Sequence, residues 1–349
     1  MNPYVNLLQQ ALQGEGIACS TAVGLSPRLV QSWRGRVDIA HVHWLELLYA
    51  SPRLGSSLRQ WAAVMAGILL CRKAGVRLAC TVHNLNPHEG VFPTLDHAAN
   101  RMLLWLASVV HVHDERTRED LARIYGRRAR VHVVPHGSYI GAYPNACTRQ
   151  QARERWGLQP EAVTFLFLGQ LRRYKGVEDL VTAFRGMADE RGRLMIAGNA
   201  HDPMYAAELT RLTRGDPRII TWFQYVRDAE VQYFMNACDI CVLPYRDATT
   251  SGAAVLALSF GRPILAPALG AFVGLAAQGR GLLYDPLRED GLKLALQTAL
   301  QADTVGAGEQ AMAWAQQRVW SRLAPAFVRM YADALGARSV DGLKSPVSG

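Results

Sequence analysis

The sequence predicts an α/β fold made of two Rossmann-like domains, on three observations. Half of the 349 residues are hydrophobic and 19% are charged, with no low-complexity tract, which is the balance of a globular chain. Short β-rich runs alternate with helical stretches almost end to end, the pattern of βαβ units and a parallel sheet. Turn residues at Pro144–Gln151 interrupt this alternation, and it then begins again, so two series of ordinary domain size follow one another.

The chain opens on a helical pattern, NPYVNLLQQALQGEG. An α/β domain usually opens on a strand, so either that strand is missing or the start of the chain lies upstream. Strands are expected at IACSTAVG (17–24), VDIAHVHW (37–44), VRLACTVHN (76–84), SVVHVHD (108–114) and RVHVVPHG (130–137), with helices at 58–74, 96–107 and 116–126. The second series runs strand Thr164–Gly169, helix Val177–Asp189, strand Arg193–Gly198, helix 204–214, strand IITWFQYV, helix 228–237, strand ICVLPY, helix 251–260, then PILAP and GLLYD. A last amphipathic helix at about 309–336 carries Trp314, Trp320, Phe327 and Tyr331. The tail from Ala337 is rich in Gly, Ser and Pro and reads as frayed. The expected division is 1–145 and 146–315 for the two domains, 316–336 for a C-terminal helix crossing back to the first, and 337–349 for the tail.

Charge narrows the function classes. Residues 1–150 hold 16 Lys and Arg against 9 Asp and Glu, a balance of +7; the remainder holds 22 against 20, or +2. A basic first half suits an anionic membrane or a phosphorylated substrate. The basic residues are spread over many elements, without a helix-turn-helix, zinc finger or aromatic-basic signature, so nucleic acid is not the expected partner. Six scattered Cys make no disulfide framework. Cys238 and Cys241 have CxxC spacing but no second pair for zinc, and read as buried, reduced thiols. The N-terminus lacks the features of a signal peptide. The best apolar stretch, Trp61–Cys71, is about half of the ~20 residues a spanning helix needs.

Two segments of the second half carry the chemistry. In GQLRRYKGVEDLV (169–181) a strand ends, Gly169 turns the chain and Val177 enters a helix, so Arg172, Arg173 and Lys175 crowd the C-terminal edge of a parallel sheet, where α/β folds bind ligands. Arg as a planar fork and Lys as a point charge suit a diphosphate there. In YRDATTSGAAVLALSFGRPILAP (245–267), Thr249, Thr250, Ser251 and Gly252 stand at a helix start, where free N–H groups, the helix dipole and hydroxyls favour an anion. Alone, the first reads as a solvated basic turn and the second as an ordinary cap. Together, in one domain, they point to a shared diphosphate site.

The succession strand–G-x-L-x-x-x-KG–helix, AGN, D-x-x-VLPY, small-residue loop and ALSFGRPILAP resembles the GT-B nucleotide-sugar glycosyltransferases of bacterial polysaccharide synthesis. In the first half NPYVNLL, HVHW, TVHNLNPHE and VPHGSY agree, so the resemblance covers about residues 2–335. It implies two Rossmann-like domains facing a cleft, with the nucleotide sugar on the second and the acceptor on the first. Phe223 and Tyr225, after IITW, would lie near the nucleotide base, where stacking and core packing are equal expectations. Many retaining members carry two glutamates eight residues apart around the small-residue loop. Here their places fall at Ala257 and near Thr249, and both acids are absent. The overall length, the NPY start and the TSGAAVLALSFG run resemble the xanthan-pathway type of β-mannosyltransferase. That implies inverting transfer of a hexose, mannose from GDP-mannose, to a polyprenyl-diphosphate-linked oligosaccharide in exopolysaccharide synthesis, on the cytoplasmic face of the inner membrane.

An inverting transfer needs a base for the acceptor hydroxyl and cations or donors for the leaving diphosphate. Lys175, Arg172 and the 249–252 helix start supply the second, and with no DxD pair no metal is expected. For the base, His83, His88 and Glu89 in TVHNLNPHEG rank first, just after a strand and facing the cleft, ahead of His113, Asp114 and His136. His41 and His43 read mostly as strand-face residues. The apolar helix 58–74, with Arg59, Arg72 and Lys73 at its ends, reads either as a surface resting on an anionic bilayer or as a helix buried on the sheet. The alternatives are a retaining hexosyltransferase of the same fold, a non-catalytic GT-B subunit binding a lipid-linked saccharide or a partner enzyme, and a nucleotide-sugar epimerase on this architecture.

Overall fold

In the computed structural model, which describes residues 3–51, 53–85, 93–247 and 249–336, the chain forms two compact units, Met1–His136 with Trp320–Gly349 and Gly137–Val319. The division falls at His136/Gly137 rather than at 145/146. The reason is local: Tyr139 N donates to Ser259 Oγ at 2.9 Å, and Ala146 N and Cys147 N donate to Gln232 Oε1 at 2.8 and 3.0 Å. These bonds fasten residues 139–147 to the second unit.

The first unit contains helices α1 (Tyr4–Gly14) and α2 (Pro27–Trp33), then strand β1 (Ile39–Val42), α3 (Leu54–Lys73), β2 (Arg77–Thr81), α4 (Pro93–Leu106), β3 (Val109–Val112), α5 (Glu115–Tyr125) and β4 (Val131–Val133). The second contains α6 (Arg149–Arg155), β5 (Val163–Leu168), α7 (Val177–Arg185), β6 (Gly192–Ala197), α8 (Pro203–Thr213), β7 (Ile219–Trp222), α9 (Asp228–Ala237), β8 (Ile240–Val242), α10 (Gly252–Ser259), β9 (Ile264–Pro267), α11 (Gly270–Ala276), β10 (Gly281–Tyr284), α12 (Gly291–Ala299) and α13 (Thr304–Gln316). The last helix, α14 (Trp320–Leu335), belongs to the first unit. The single helix expected at 309–336 is thus α13 and α14, and the segment expected at 316–336 begins as a helix only at Trp320.

In the first unit the parallel strands lie in the order β1-β2-β3-β4. Right-handed crossovers that always step the same way put every connecting helix on one face. Side chains alternate between faces along a strand. Val42, Leu78, Cys80, Val110 and Val112 therefore join Val30 of α2, Val64 and Ile68 of α3, Leu103 of α4 and Leu121 of α5 in one core. Ala79, Val109 and Val134 join the second core, built from Tyr4, Leu8 and Leu12 of α1 and Trp320, Leu323, Phe327 and Tyr331 of α14.

Two expectations are corrected here. No strand forms at 17–24. The Cys19 carbonyl accepts from Gln9 Nε2 at 3.0 Å and Gln13 Nε2 at 3.4 Å instead of from a ladder, and Val23 is fully exposed. The helix expected from 58 begins at Leu54, so α3 runs 20 residues and is, by length and composition alone, apolar enough to cross a membrane. A third of its apolar window is buried within the protein. Val64, Met65, Ile68 and Cys71 pack in the core, which bears out the buried reading for that face of the helix.

The face under α14 carries a row of polar side chains. Tyr331 Oη lies 2.7 Å from His41 Nδ1, His41 Nε2 2.8 Å from Thr81 Oγ1, Thr81 Oγ1 3.0 Å from His111 Nδ1, and His111 Nε2 2.8 Å from the Val134 carbonyl. The carbonyl can only accept, which fixes every proton in the row. His111 Nε2–H donates to it, Thr81 O–H donates to His111, His41 Nε2–H donates to Thr81, and Tyr331 O–H donates to His41. Beside this row His132 Nε2 meets Asp333 Oδ2 at 3.0 Å, a second polar tie to α14, this one from β4. Tyr331→Phe keeps the apolar contacts but leaves His41 Nδ1 without its donor, so unfolding in urea should show a loss of about 1–3 kcal/mol. A midpoint equal to that of the unaltered chain would show that the row does not hold α14.

The second sheet has the order β10-β9-β8-β5-β6-β7, all parallel. Phe165 and Phe167 of β5, Met195 and Ile196 of β6 and Val242 of β8 are almost fully buried. That is the apolar run a sheet covered on both faces requires. All six cysteines are free. Cys238 and Cys241 are buried, with Sγ atoms 3.9 Å apart.

Candidate functional site

The chain goes from β5 outward through β6 and β7, then returns to the other side of β5 as β8. The crevice beyond the C-terminal ends of β5 and β8 is therefore the topological switch point, the ligand edge of an open α/β sheet. Both segments singled out in the sequence leave the sheet there. After β5, Gly169 takes φ +154°, and a Cβ on it would lie 3.3 Å from Lys175 Nζ. At the end of β6, Gly198 takes φ +153°, and a Cβ on it would lie 1.7 Å from the Gly169 carbonyl oxygen. Two glycines thus leave bare backbone at adjacent strand ends. Gly176, at φ +62°, would bring a Cβ to 2.3 Å from the Pro244 carbonyl oxygen, so the loop after β5 rests on the loop after β8.

Lys175 closes a single 3₁₀ turn, Arg173–Lys175, and its Nζ stands 5.3 Å from the centre of the Tyr245 ring. Burial pushes the Tyr245 hydroxyl well above its ordinary range, opposed by the neighbouring Ser251 hydroxyl. Ser251 caps α10, accepting from Ala254 N at 3.2 Å, and Thr249 and Thr250 are half-buried beside it with Gly252. The structure therefore brings Gly169, Lys175 and the start of α10 to one sheet edge, with Tyr245 between them. The half-buried Arg172 bonds to Gln170 Oε1 at 3.3 Å through Nε and through Nη2, while Arg173 turns away to pair with Glu208 at 3.0 Å. Ala257 is fully buried in α10, and the one carboxylate from Tyr245 to Ser259 is Asp247. Phe223 is half-buried and Tyr225 60% exposed, just beyond the edge strand β7. Two strand spacings put them about 10 Å from β5. Core packing belongs to Trp222 instead, which lies against Trp156 and Phe234.

In the first unit His43, His83, His113 and His136 follow β1, β2, β3 and β4 in turn, and the Tyr4 ring lies 4.9–5.7 Å from all four. Trp44, a bulky residue at φ 44°, stacks flat on His83 at 4.0 Å. His83 Nε2 is 3.1 Å from His43 Nδ1. His83, expected just after a strand and facing the cleft, does follow β2 but is only 5% exposed, because Tyr4 and Trp44 close over it. Its ring still borders a cavity lined by Trp44, Glu46, Asn84 and Tyr125. His88 and Glu89 lie outside the described residues. Asp114 caps α5, accepting from Thr117 N at 2.7 Å. Burial, then mutual repulsion, lowers His43 to about 3; burial lowers His111 to about 4, and takes His41, His83 and His113 well below 6.5. Among the described residues no three His, Cys, Asp or Glu side chains are grouped to hold a metal ion.

Comparison with known proteins gives this geometry a class. Residues 162–302, the span holding both segments singled out in the sequence, match the family model described as glycosyl transferases group 1. A GDP-mannose:glycolipid 4-beta-D-mannosyltransferase of Xanthomonas campestris pv. campestris is 28% identical over 342 residues, covering 96% of this chain and 89% of that protein. A D-inositol 3-phosphate glycosyltransferase of Xylanimonas cellulosilytica is 24% identical, covering 96% and 81%. Among solved structures, sucrose-phosphate synthase from Thermosynechococcus elongatus matches with a TM-score of 0.75 at 17% identity, over 95% of this chain and 93% of that one. Anabaena HepE in complex with UDP matches with a TM-score of 0.71 at 19% identity, over 87% and 81%. The chain has the GT-B glycosyltransferase fold.

Sequence reasoning missed Gly176, Gly198 and Tyr245 as residues that shape this sheet edge. The signal for Gly198 was the AGN that ends β6; the clash that makes glycine necessary depends on the neighbouring strand. In the first unit, five histidines held neutral by the fold would each take up a proton in the unfolded chain below about 6.5. Protonation then favours unfolding, so stability is complete above pH 6.5 and falls toward pH 4, by at most about 1.4 kcal/mol per pH unit for each histidine. Thermal melts from pH 8 to 4.5 should show a steep loss of Tm below pH 6.5. A flat Tm would mean that these side chains are not buried neutral.

Proposed function

We propose that this chain is a glycosyltransferase that moves a hexose, mannose carried by GDP, onto a polyprenyl-diphosphate-linked oligosaccharide with inversion, in exopolysaccharide synthesis. The observation that carries the proposal is the edge at the β5/β8 switch point, where bare glycine backbone, Lys175 and the start of α10 meet. A diphosphate laid there finds N–H donors without side chains in the way, one ammonium and the positive end of a helix. Nucleotide-sugar binding is further supported by the UDP complex of Anabaena HepE, and mannose from GDP by the Xanthomonas relative. Phe223 and Tyr225 are proposed to face the base.

Inversion is supported by α10 itself: GAAVLALS holds no carboxylate to contact the donor sugar. We assign the base to the segment after β2, with His83 its described member. Uncharged, His83 can take a proton, although the burial that keeps it neutral also lowers its basicity, so the assignment rests on its place after β2 and on the cavity it borders. With Lys175 on the leaving-group side, transfer is proposed to need no metal. For the acceptor's membrane, the outward face of α3 exposes Leu54, Leu58 and Leu69 between the exposed Arg53, Arg59, Arg72 and Lys73. Such a face suits an anionic surface, here the cytoplasmic side of the inner membrane.

Three measurements test this reading. Titration calorimetry should show GDP binding weakened by about 1.5–3 kcal/mol in Lys175→Ala; unchanged affinity would remove the diphosphate from this edge. NMR of the product, made from GDP-mannose with and without EDTA, should show a β-linkage in both, and an α-linkage would refute inversion. In the same assay His83→Gln should lower kcat by about 10²–10⁴ with GDP affinity intact, whereas near-normal kcat would take the base from His83. Flotation with phosphatidylglycerol-containing vesicles should show binding that weakens with salt and fails in the Leu58→Asp/Leu69→Asp variant; no flotation at low salt would count against the α3 surface.

A further inference from the structure

The loops after β5 and after β8 are separate in sequence, and one side chain ties them together. Arg246 follows Tyr245, and its backbone N–H donates to the Tyr174 carbonyl at 2.8 Å. Its Nη1 donates to the Arg173 carbonyl at 3.0 Å. Its Nε and Nη2 reach Asp179 Oδ2 at 3.0 and 2.7 Å, and Nη2 also meets Glu178 Oε1 at 3.0 Å. Glu178 and Asp179 open α7, directly after Lys175 and Gly176. Glu178 also accepts from the Tyr205 hydroxyl, and Arg173 lies 4.7 Å over the Tyr205 ring.

This arrangement has two consequences. Two carboxylates so close to Lys175 would weaken any anion site there, and Arg246 places its own charge against both. The bonds to the Arg173 and Tyr174 carbonyls belong to the turn that presents Lys175, so its height above the sheet edge depends on them. The Tyr174 bond comes from the backbone and is open to any residue at 246, whereas the guanidinium bonds the Arg173 carbonyl and both acids simultaneously because its donors form a rigid fork; an ammonium at the same place is a point charge on a shorter reach. Arg246 is about half exposed, so its ion pairs contribute little to global stability. Its leverage is local.

The structure assigns Arg246 the role of a positioning residue: by gripping the turn through the Arg173 carbonyl and the two acids that open α7, its side chain holds the Lys175 loop against the α10 side of the switch point. This rests on reading the switch point as the donor site, and the experiment separates the two. GDP and UDP are titrated into the full chain and into the R246Q, R246K and R246Q/E178Q/D179N variants, and donor KM and kcat are measured with GDP-mannose. R246Q should raise the nucleotide Kd and the donor KM about tenfold or more, with kcat changing less than KM. R246K should fall between R246Q and the unaltered chain, and the triple variant, which removes the acids but not the lost grip, should stay close to R246Q. Full recovery in the triple variant would make Arg246 a counter-charge only and overturn the assignment, as would unchanged Kd and KM in R246Q and R246K. Failure of the unaltered chain to bind either nucleotide would remove the donor site itself, and this assignment with it.

Discussion

The first unit is governed by its strand order. Four parallel strands placed in the order in which they are made send α3, α4 and α5 to one side and leave the other side of the sheet uncovered. A bare sheet face exposes apolar residues such as Ala79 and Val109 and has to be covered. Helix α1 precedes the sheet, α14 comes after α13, and the two pack together on that face.

That face is not a simple apolar core. His41, Thr81 and His111 put polar atoms in the middle of it, and such atoms are tolerated only when each finds a partner. The row from Tyr331 to the Val134 carbonyl meets that condition without any formal charge. Burial and neutrality support one another: burial disfavours the imidazolium, and the neutral rings have the donor and acceptor that the row requires. The second unit builds its ligand edge differently. There glycines clear the way, side chains at Lys175 and Ser251 border the cleared ground, and the strand order places the crevice between β5 and β8.

Much of this was legible from the sequence. The alternation of apolar runs with helical stretches gave both sheets, because buried parallel strands are continuously apolar. Gly169, Lys175 and the small-residue loop at 249–252 could be placed at a sheet edge, since each directly follows a strand. What was not legible depended on non-local partners. IACSTAVG has strand composition, but a strand needs a neighbour, and Gln9 and Gln13 take its backbone instead. The unit boundary shifted because Gln232 and Ser259 hold residues 139–147. His83 was expected to face the cleft because nothing local says that Tyr4 and Trp44 cover it. Gly198 and Arg246 carry ordinary sequence signals, and their importance comes from a carbonyl oxygen and a loop contributed by other strands.

The polar row under α14 also restricts which sequences can fold this way. Thr81 is its one member that accepts from one histidine and donates to another with a single oxygen. Valine has the same shape and a strong preference for strands, yet it would strand the His41 Nε2–H and the His111 Nδ1 lone pair at once. Cysteine is a weak donor and a weak acceptor. Position 81 is therefore closed to the residues that its strand would otherwise favour, and serine is the substitute that keeps both bonds. Related chains that lack a hydroxyl there would have to change both histidines as well, so these three positions should vary together or not at all.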